Sequence, residues 1–250
     1  MSDENGKEVL FEVTKDHLDT GLRGIPVGTC RTSFVDPKKG VHYCGYPVGD
    51  LAEMSPEDVI FLLFEKRLPN RQESQDFRHE LVQRAERLPT GALRVLESLT
   101  PGSGHPMDWL SIGIQSLGVA ETTGDIRADG LNLISRMPEL MATIFCLRGG
   151  RGLPEVASEP QRGMVENFVH LLGLEGTDAD RMIRTLRVFL VLHMDHGGGN
   201  LSTFTGKAVA SGWASLYASI SSAMNALSGP LHGRANQSCL EFVQRIGTSD

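Results

Sequence analysis

Four side chains in the last quarter of the sequence have the types and spacing to do chemistry. His193 and His196 stand three residues apart, a Gly197-Gly198-Gly199 turn leads to Asn200, and His232 follows later, beside Gly233. On the end of one helix, His193 and His196 would share a face. The glycines after them would set several backbone N–H groups near the start of the next helix, a cradle for a carboxylate or phosphate. His232 directly precedes a helix expected from Arg234 to Ile246, whose positive end disfavours an imidazolium. A neutral imidazole that donates to a carbonyl oxygen is what enolisation needs, and Gly233 would let a bulky substrate approach. Other readings stay open here. A histidine at a helix end also serves as a C-cap or a satisfied core group, and His193, His196 and His232 with Asp195 could bind zinc, although no H-E-x-x-H motif accompanies them.

The elements that must position these residues are nearly all helical. Leu201 to Leu227 reads as one long helix, rich in Gly, Ala and Ser, with Lys207 its sole charge. Small residues on all sides predict a central buried helix, capped by Asn200 and stopped by Gly229-Pro230. At about 1.5 Å per residue it would separate its two ends widely, so the flanking segments must double back to bring His196 and His232 together. Before it, Ser55-Pro56-Glu57-Asp58 opens a helix that Pro69 ends. Glu73 to Leu88, His105 to Leu117, Arg127 to Leu147 and Gln161 to Leu172 follow as helices, and Thr177 to Asp180 cap another from Arg181 to Met194. The one clear β signal is Arg31 to Val35, a turn at Asp36 to Gly40, and Val41 to Cys44. Pairing Val35 with Val41 would put Cys44 opposite Thr32. The fold class is therefore mainly α, with an N-terminal arm and β-hairpin over residues 1–54 and a helical domain over 55–250.

The 250 residues hold enough apolar side chains for a sizeable core, and a net charge of −7 argues against nucleic acid or an anionic membrane as partner. The polar N-terminus lacks the apolar centre of a signal peptide, and no stretch is long and apolar enough to span a bilayer. A cytosolic protein is expected, with the mitochondrial matrix open should a transit peptide be missing. Cys30, Cys44, Cys146 and Cys239 form no C-x-x-C pair, so reduced thiols are expected and no structural metal site. Arg23, between Gly21 and Gly24, could present a guanidinium from an irregular backbone or simply be solvated in a turn.

His193-Met194-Asp195-His196-Gly197-Gly198-Gly199-Asn200 with Ser202-Thr203, and Gly229-Pro230-Leu231-His232-Gly233-Arg234-Ala235-Asn236-Gln237, resemble the two signature segments of the citrate synthase large domain. Gly21 to Gly24, Gly45-Tyr46 with Asp50-Leu51, Leu63 with Leu68-Pro69, and His105-Pro106-Met107-Asp108 match in order along the rest of the chain. The resemblance implies enolisation of acetyl-CoA, attack on the ketone of oxaloacetate and hydrolysis of the resulting citryl thioester. It implies His232 as the catalytic residue at the enol oxygen, His196, Asn200 and His193 as the oxaloacetate-binding group, and Arg23 at coenzyme A phosphates. It also implies a homodimer, with no metal or redox cofactor and coenzyme A thioester as substrate only. Propionyl-CoA would make a 2-methylcitrate synthase. The family's small domain, which carries a second histidine, the base aspartate and further arginines, has no matching segment here. An incomplete fragment is therefore expected, without activity on its own, the other possibility being a helical dimer module without turnover.

Overall fold

The computed structural model describes residues 8–9, 11–19, 28–197 and 199–247. A short 3-10 helix (Lys15–Leu18) precedes three short strands, β1 (Ser33–Asp36), β2 (Gly40–Tyr43) and β3 (Tyr46–Pro47), antiparallel in that order. Val35 pairs with Val41, and the Cys44 N–H donates to the Thr32 carbonyl at 2.7 Å, so the expected register holds. Asp36 makes the turn by accepting from the N–H groups of Lys38 and Lys39. The third strand was not foreseen.

Eleven helices are described after the strands: α1 (Val48–Leu51), α2 (Pro56–Glu65), α3 (Arg71–Arg84), α4 (Thr90–Glu97), α5 (Pro106–Glu121), α6 (Ile126–Arg148), α7 (Met164–Leu171), α8 (Gly176–Leu192), α9 (Leu201–Ser211), α10 (Leu216–Leu227) and α11 (Ala235–Ile246). Local chemistry sets several starts. Ser55 accepts from Asp58 N–H at α2, and Asn70 exchanges capping-box bonds with Glu73 at α3. The Asn70 box moves α3 earlier than expected, to Arg71; it ends at Arg84, short of the expected Leu88, and α4, which begins after Pro89, is not among the expected helices. The start of α8 lies at Gly176, ahead of the expected Thr177 to Asp180 cap. No helix among the described residues is long and apolar enough to cross a membrane.

The largest correction concerns Leu201 to Leu227. It is not one helix but two, reversed at Gly212 to Ser215. Gly212 and Trp213 close α9 by donating to Val209 and Ala210 carbonyls, and Trp213 takes a left-handed conformation with its side chain exposed. Ser215 then caps α10 by accepting from Ala218 N–H. The small residues serve the packing of α10 on α9 and on α5, not all sides. Gly206 on α9 approaches Ser219 and Ala223 on α10, while α9 itself buries no residue. It is α10 that carries the buried side chains, Tyr217, Ser219 and Ser221.

Helix α10 lies on α5 with almost no separation. Ser111 and Ser221 each donate to the other's carbonyl, at 3.1 and 2.9 Å. A Cβ on Gly118 would sit 2.4 Å from Tyr217 Cβ. Tyr217 completes the main core with Leu96, Trp109, Ile114, Leu117 and Leu140 from α4, α5 and α6. A second cluster joins β2 to the helices through Tyr43, Leu51, Val59, Leu62 and Val191.

Gly118→Ala is expected to force α5 and α10 apart and lower stability by about 1–3 kcal/mol. Denaturant unfolding reads this as a lower midpoint, and an unchanged midpoint would show that the contact yields without cost.

Candidate functional site

Helix α8 ends at Leu192, and His193 is its C-cap. His196 therefore lies in the following loop, not on the helix, and the expected shared face with His193 does not exist. The two rings have separate surroundings. His193 stacks on Phe189 with ring centroids 4.2 Å apart, and its Nδ1 bonds the Phe189 carbonyl at 2.8 Å. His196 is exposed and has no bonding partner among the described residues. Gly198 and the stretch from Thr20 to Val27, which contains Arg23, lie outside the described residues.

What holds the loop after α8 is the N-terminal sheet. The Tyr43 hydroxyl, fully buried, faces the carbonyls of Val191 and Leu192 at 3.0 and 3.2 Å, and it accepts from Asp195 N–H at 3.3 Å. Burial pushes the Tyr43 pKa up, so the phenol stays a neutral donor and acceptor. Asp195 in turn accepts from Gly197 N–H at 2.7 Å. Gly197 has a left-handed backbone, and a Cβ there would lie 2.3 Å from Cys30 Sγ and 2.4 Å from Ser33 Oγ. The loop is thus seated on β1 and β2, whose contribution the sequence reading did not anticipate.

Asn200 stands at the N-cap of α9, as expected, but its side chain makes no capping bond. Two residues on, Ser202 meets His232. The His232 Nε2 lies 3.0 Å from Ser202 Oγ and 3.4 Å from Ser202 N, which donates to it. Because a backbone N–H can only donate, Nε2 is the acceptor and the ring proton of a neutral His232 sits on Nδ1. Nδ1 has no partner among the described residues, so this N–H is the one free to meet a substrate oxygen. His232 O accepts from Ala235 N–H at the start of α11, and His105 Nε2 bonds Gln237 Oε1 at 2.7 Å, tying α11 to the start of α5. Gly233 packs against Leu227, whose Cδ1 would lie 2.7 Å from a Cβ there.

His232 thus returns to the start of α9, shortly after His196 and Asn200 in sequence. The reversal at Gly212 to Ser215 achieves this, where a single helix would have needed other elements to do it. Asp195 accepts from Gly197 N–H, and Asp108 caps α5 by accepting from His105 N–H at 2.9 Å. Among the described residues no three His, Cys, Asp or Glu side chains are grouped to hold a metal ion.

Residues 21–250 match the family model described as citrate synthase, C-terminal domain. The chain belongs to the citrate synthase family. It is 30% identical over 266 aligned residues to the peroxisomal citrate synthase of Saccharomyces cerevisiae, and 28% identical over 272 to mitochondrial citrate synthase 4 of Arabidopsis thaliana. These alignments take in 96% and 98% of this chain but 56% of each relative. The crystal structure of citrate synthase from Thermotoga maritima superposes with a TM-score of 0.77 at 28% identity, over 91% of this chain and 60% of that one. The mainly helical fold with its small sheet is accordingly a citrate synthase fold, spanning a little over half the length of the curated relatives it matches.

Cys30 provides a check on how the loop is seated. Burial raises its pKa, but bonds from Ser33 and Thr32 outweigh that and bring it down to about 6. Burial pushes Cys44 up instead. Alkylation of Cys30 should therefore gain rate as pH rises through about 6 and level off, while Cys44 stays slow at pH 7. Mass-spectrometric mapping of an iodoacetamide time course tests this, and equal rates at the two thiols would contradict the hydrogen-bonded Cys30 described above.

Proposed function

We propose that the protein takes part in a citrate synthase-type condensation, in which acetyl-CoA and oxaloacetate give citrate and free coenzyme A. The observation that carries this reading is the Ser202–His232 contact, which leaves a neutral Nδ1–H as the free donor at the start of α9. In the proposed reaction a carboxylate base, which the family carries in its small domain, takes the methyl proton while His232 donates to the thioester carbonyl oxygen, stabilising charge that is larger in the transition state than in the substrate. His196 and Asn200 bind the oxaloacetate carboxylate and ketone, with His193 supporting the turn from its stack on Phe189. The enol carbon attacks the ketone, and water then cleaves the citryl thioester to release the thiol. Arg23 would contact coenzyme A phosphates, and no metal or redox group takes part.

A homodimer belongs to the same proposal. Helix α9 buries nothing within the chain, and α5 leaves Ile112 and Val119 exposed beside Ser116 and Asn225, a surface suited to a second copy. Sedimentation velocity would measure it, and a monomer at micromolar concentration would remove it. The four free cysteines suit a reducing compartment such as the cytosol.

The experiment is a titration of oxaloacetate into the purified chain, followed by NMR of the histidine rings, with thiol release from acetyl-CoA assayed in parallel. Oxaloacetate is expected to bind weakly and to shift the His196 and His232 signals together. His196→Ala should weaken binding by about tenfold, as loss of a charge-assisted hydrogen bond does, whereas His232→Ala should change it by less than about twofold. No thiol release above background is expected, since no segment of this chain matches the one that carries the family's base aspartate. Failure of oxaloacetate to bind, or binding indifferent to His196→Ala, would overturn the proposal.

A further inference from the structure

Helix α11 follows His232 closely and buries no residue. Its first turn is nonetheless held. Among the described residues one side-chain bond joins it to another element, with His105 Nε2 at 2.7 Å from Gln237 Oε1. The direction of that bond is fixed from both sides. Met107 N–H donates to His105 Nδ1 at 3.2 Å, and since a backbone N–H can only donate, the neutral ring carries its proton on Nε2. Gln237 Nε2 donates to Glu241 Oε1 at 2.8 Å, which turns the amide oxygen of Gln237 toward the imidazole. A donor N–H thus meets an acceptor oxygen at a short distance.

The two ends of the bond differ in how firmly they stand. His105 caps α5, its own N–H donating to Asp108 at 2.9 Å, and four residues on Trp109 enters the main core. Trp109 is buried and its Nε1–H donates to the Ser103 carbonyl at 2.9 Å, so the start of α5 is fixed on both sides of His105. Gln237 stands in the first turn of a helix that buries nothing. Between it and His232 the chain is short. His232 N–H donates to the Gly229 carbonyl, and the His232 carbonyl accepts from Ala235 N–H, both at 3.0 Å. Any shift of α11 is therefore passed through this turn to the imidazole of His232.

We propose that His105 is a positioning residue for His232, acting through Gln237: it pins the first turn of α11 to α5 and so holds the turn from Gly229 to Ala235 that carries the imidazole. The inference rests on the role proposed for His232 above. The two histidines use one device. In each ring the N–H of the second residue of a helix occupies one nitrogen, Met107 of α5 for His105 and Ser202 of α9 for His232, which leaves the other nitrogen as the donor. Gln237 takes the first of these donors, and the second is left for the substrate oxygen. Ser202 sets which nitrogen of His232 carries the proton, and the latch on α11 sets where the backbone beneath that ring lies.

The test compares Gln237→Leu, which removes the acceptor, with Gln237→Glu, which keeps an oxygen to accept from His105. Gln237 is exposed, so circular dichroism melting should show both variants folded as the parent is. Amide exchange and ¹⁵N-histidine NMR are read on the whole 250-residue chain, with the ring signals assigned by single His→Ala variants. Gln237→Leu is expected to speed exchange between residues 232 and 240 by about three- to tenfold, the scale of one lost neutral hydrogen bond, and to leave the His232 ring averaging between its two tautomers. Gln237→Glu should keep the parent exchange and the parent His232 signal. Oxaloacetate affinity, assigned above to His196, should change by less than about twofold in both variants. The proposal is overturned if Gln237→Leu leaves the His232 ring as in the parent, or if Gln237→Glu disturbs it as much as Gln237→Leu does. It is equally overturned if oxaloacetate affinity falls in step with the ring signal, since the loss of the bond would then loosen the whole site. Failure of the parent to bind oxaloacetate would count against the proposed reaction instead, and the ring signals of the two variants would still decide the role of His105.

Discussion

The approach of α10 to α5 and α9 at nearly backbone contact is the constraint on which the rest of the site depends. Gly118 faces Tyr217, Gly206 faces Ser219 and Ala223, and Ser111 and Ser221 exchange hydrogen bonds in the buried interface. Side chains of ordinary size at these positions would separate the helices by ångströms, and the displacement would appear at the ends of α10. One of those ends carries His232. Its 3.0 Å contact with Ser202 exists because α9 and α10 run back along each other at that spacing. Dispersion and the paired Ser111 and Ser221 hydroxyls in the helix interface are thus converted into the orientation of one imidazole.

A second, smaller clamp works from the other end of the chain. Tyr43 reaches from β2 to three backbone groups around the end of α8, and Cys30 and Ser33 leave no room for a side chain at Gly197. An irregular loop has few internal hydrogen bonds, so its shape must be imposed by neighbours. Here a strand more than a hundred residues away imposes it. The two clamps meet on either side of Asn200: one fixes the loop before α9, the other sets His232 against the first turn of α9. This division explains why His193, though adjacent in sequence, is engaged elsewhere, stacked on Phe189.

Much of this was readable from residue types whose preferences are local. Asp36 to Gly40 specified the hairpin and its Val35–Val41 register, and Ser55-Pro56 specified the start of α2, because turn and cap chemistry acts within a few residues. The resemblance of the two signature segments placed His196, Asn200 and His232 in one expected set, and the structure brings His232 to Ser202 at the start of α9. The reversal at Gly212 to Ser215 was missed because Gly212, which ends α9, and Ser215, which caps α10, read as two more small residues in a run of small residues. Ser202 and Tyr43 were invisible for a different reason. A serine in a helix and a tyrosine in a strand are ordinary, and their roles come from partners 30 and about 150 residues away. Asn200 shows the converse, a good capping residue whose side chain does not cap.

The account stands or falls on how His232 is held. Nitrogen NMR of the chain labelled with ¹⁵N-histidine distinguishes the two ring nitrogens and reads which one carries the proton. With Ser202 donating to Nε2, the neutral His232 ring should be protonated at Nδ1, and Ser202→Ala should loosen that preference by removing the hydroxyl while leaving the backbone donor. A ring protonated at Nε2, or one averaging between both forms as a free imidazole does, would mean that the α9–α10 hairpin does not prepare His232 for a carbonyl oxygen.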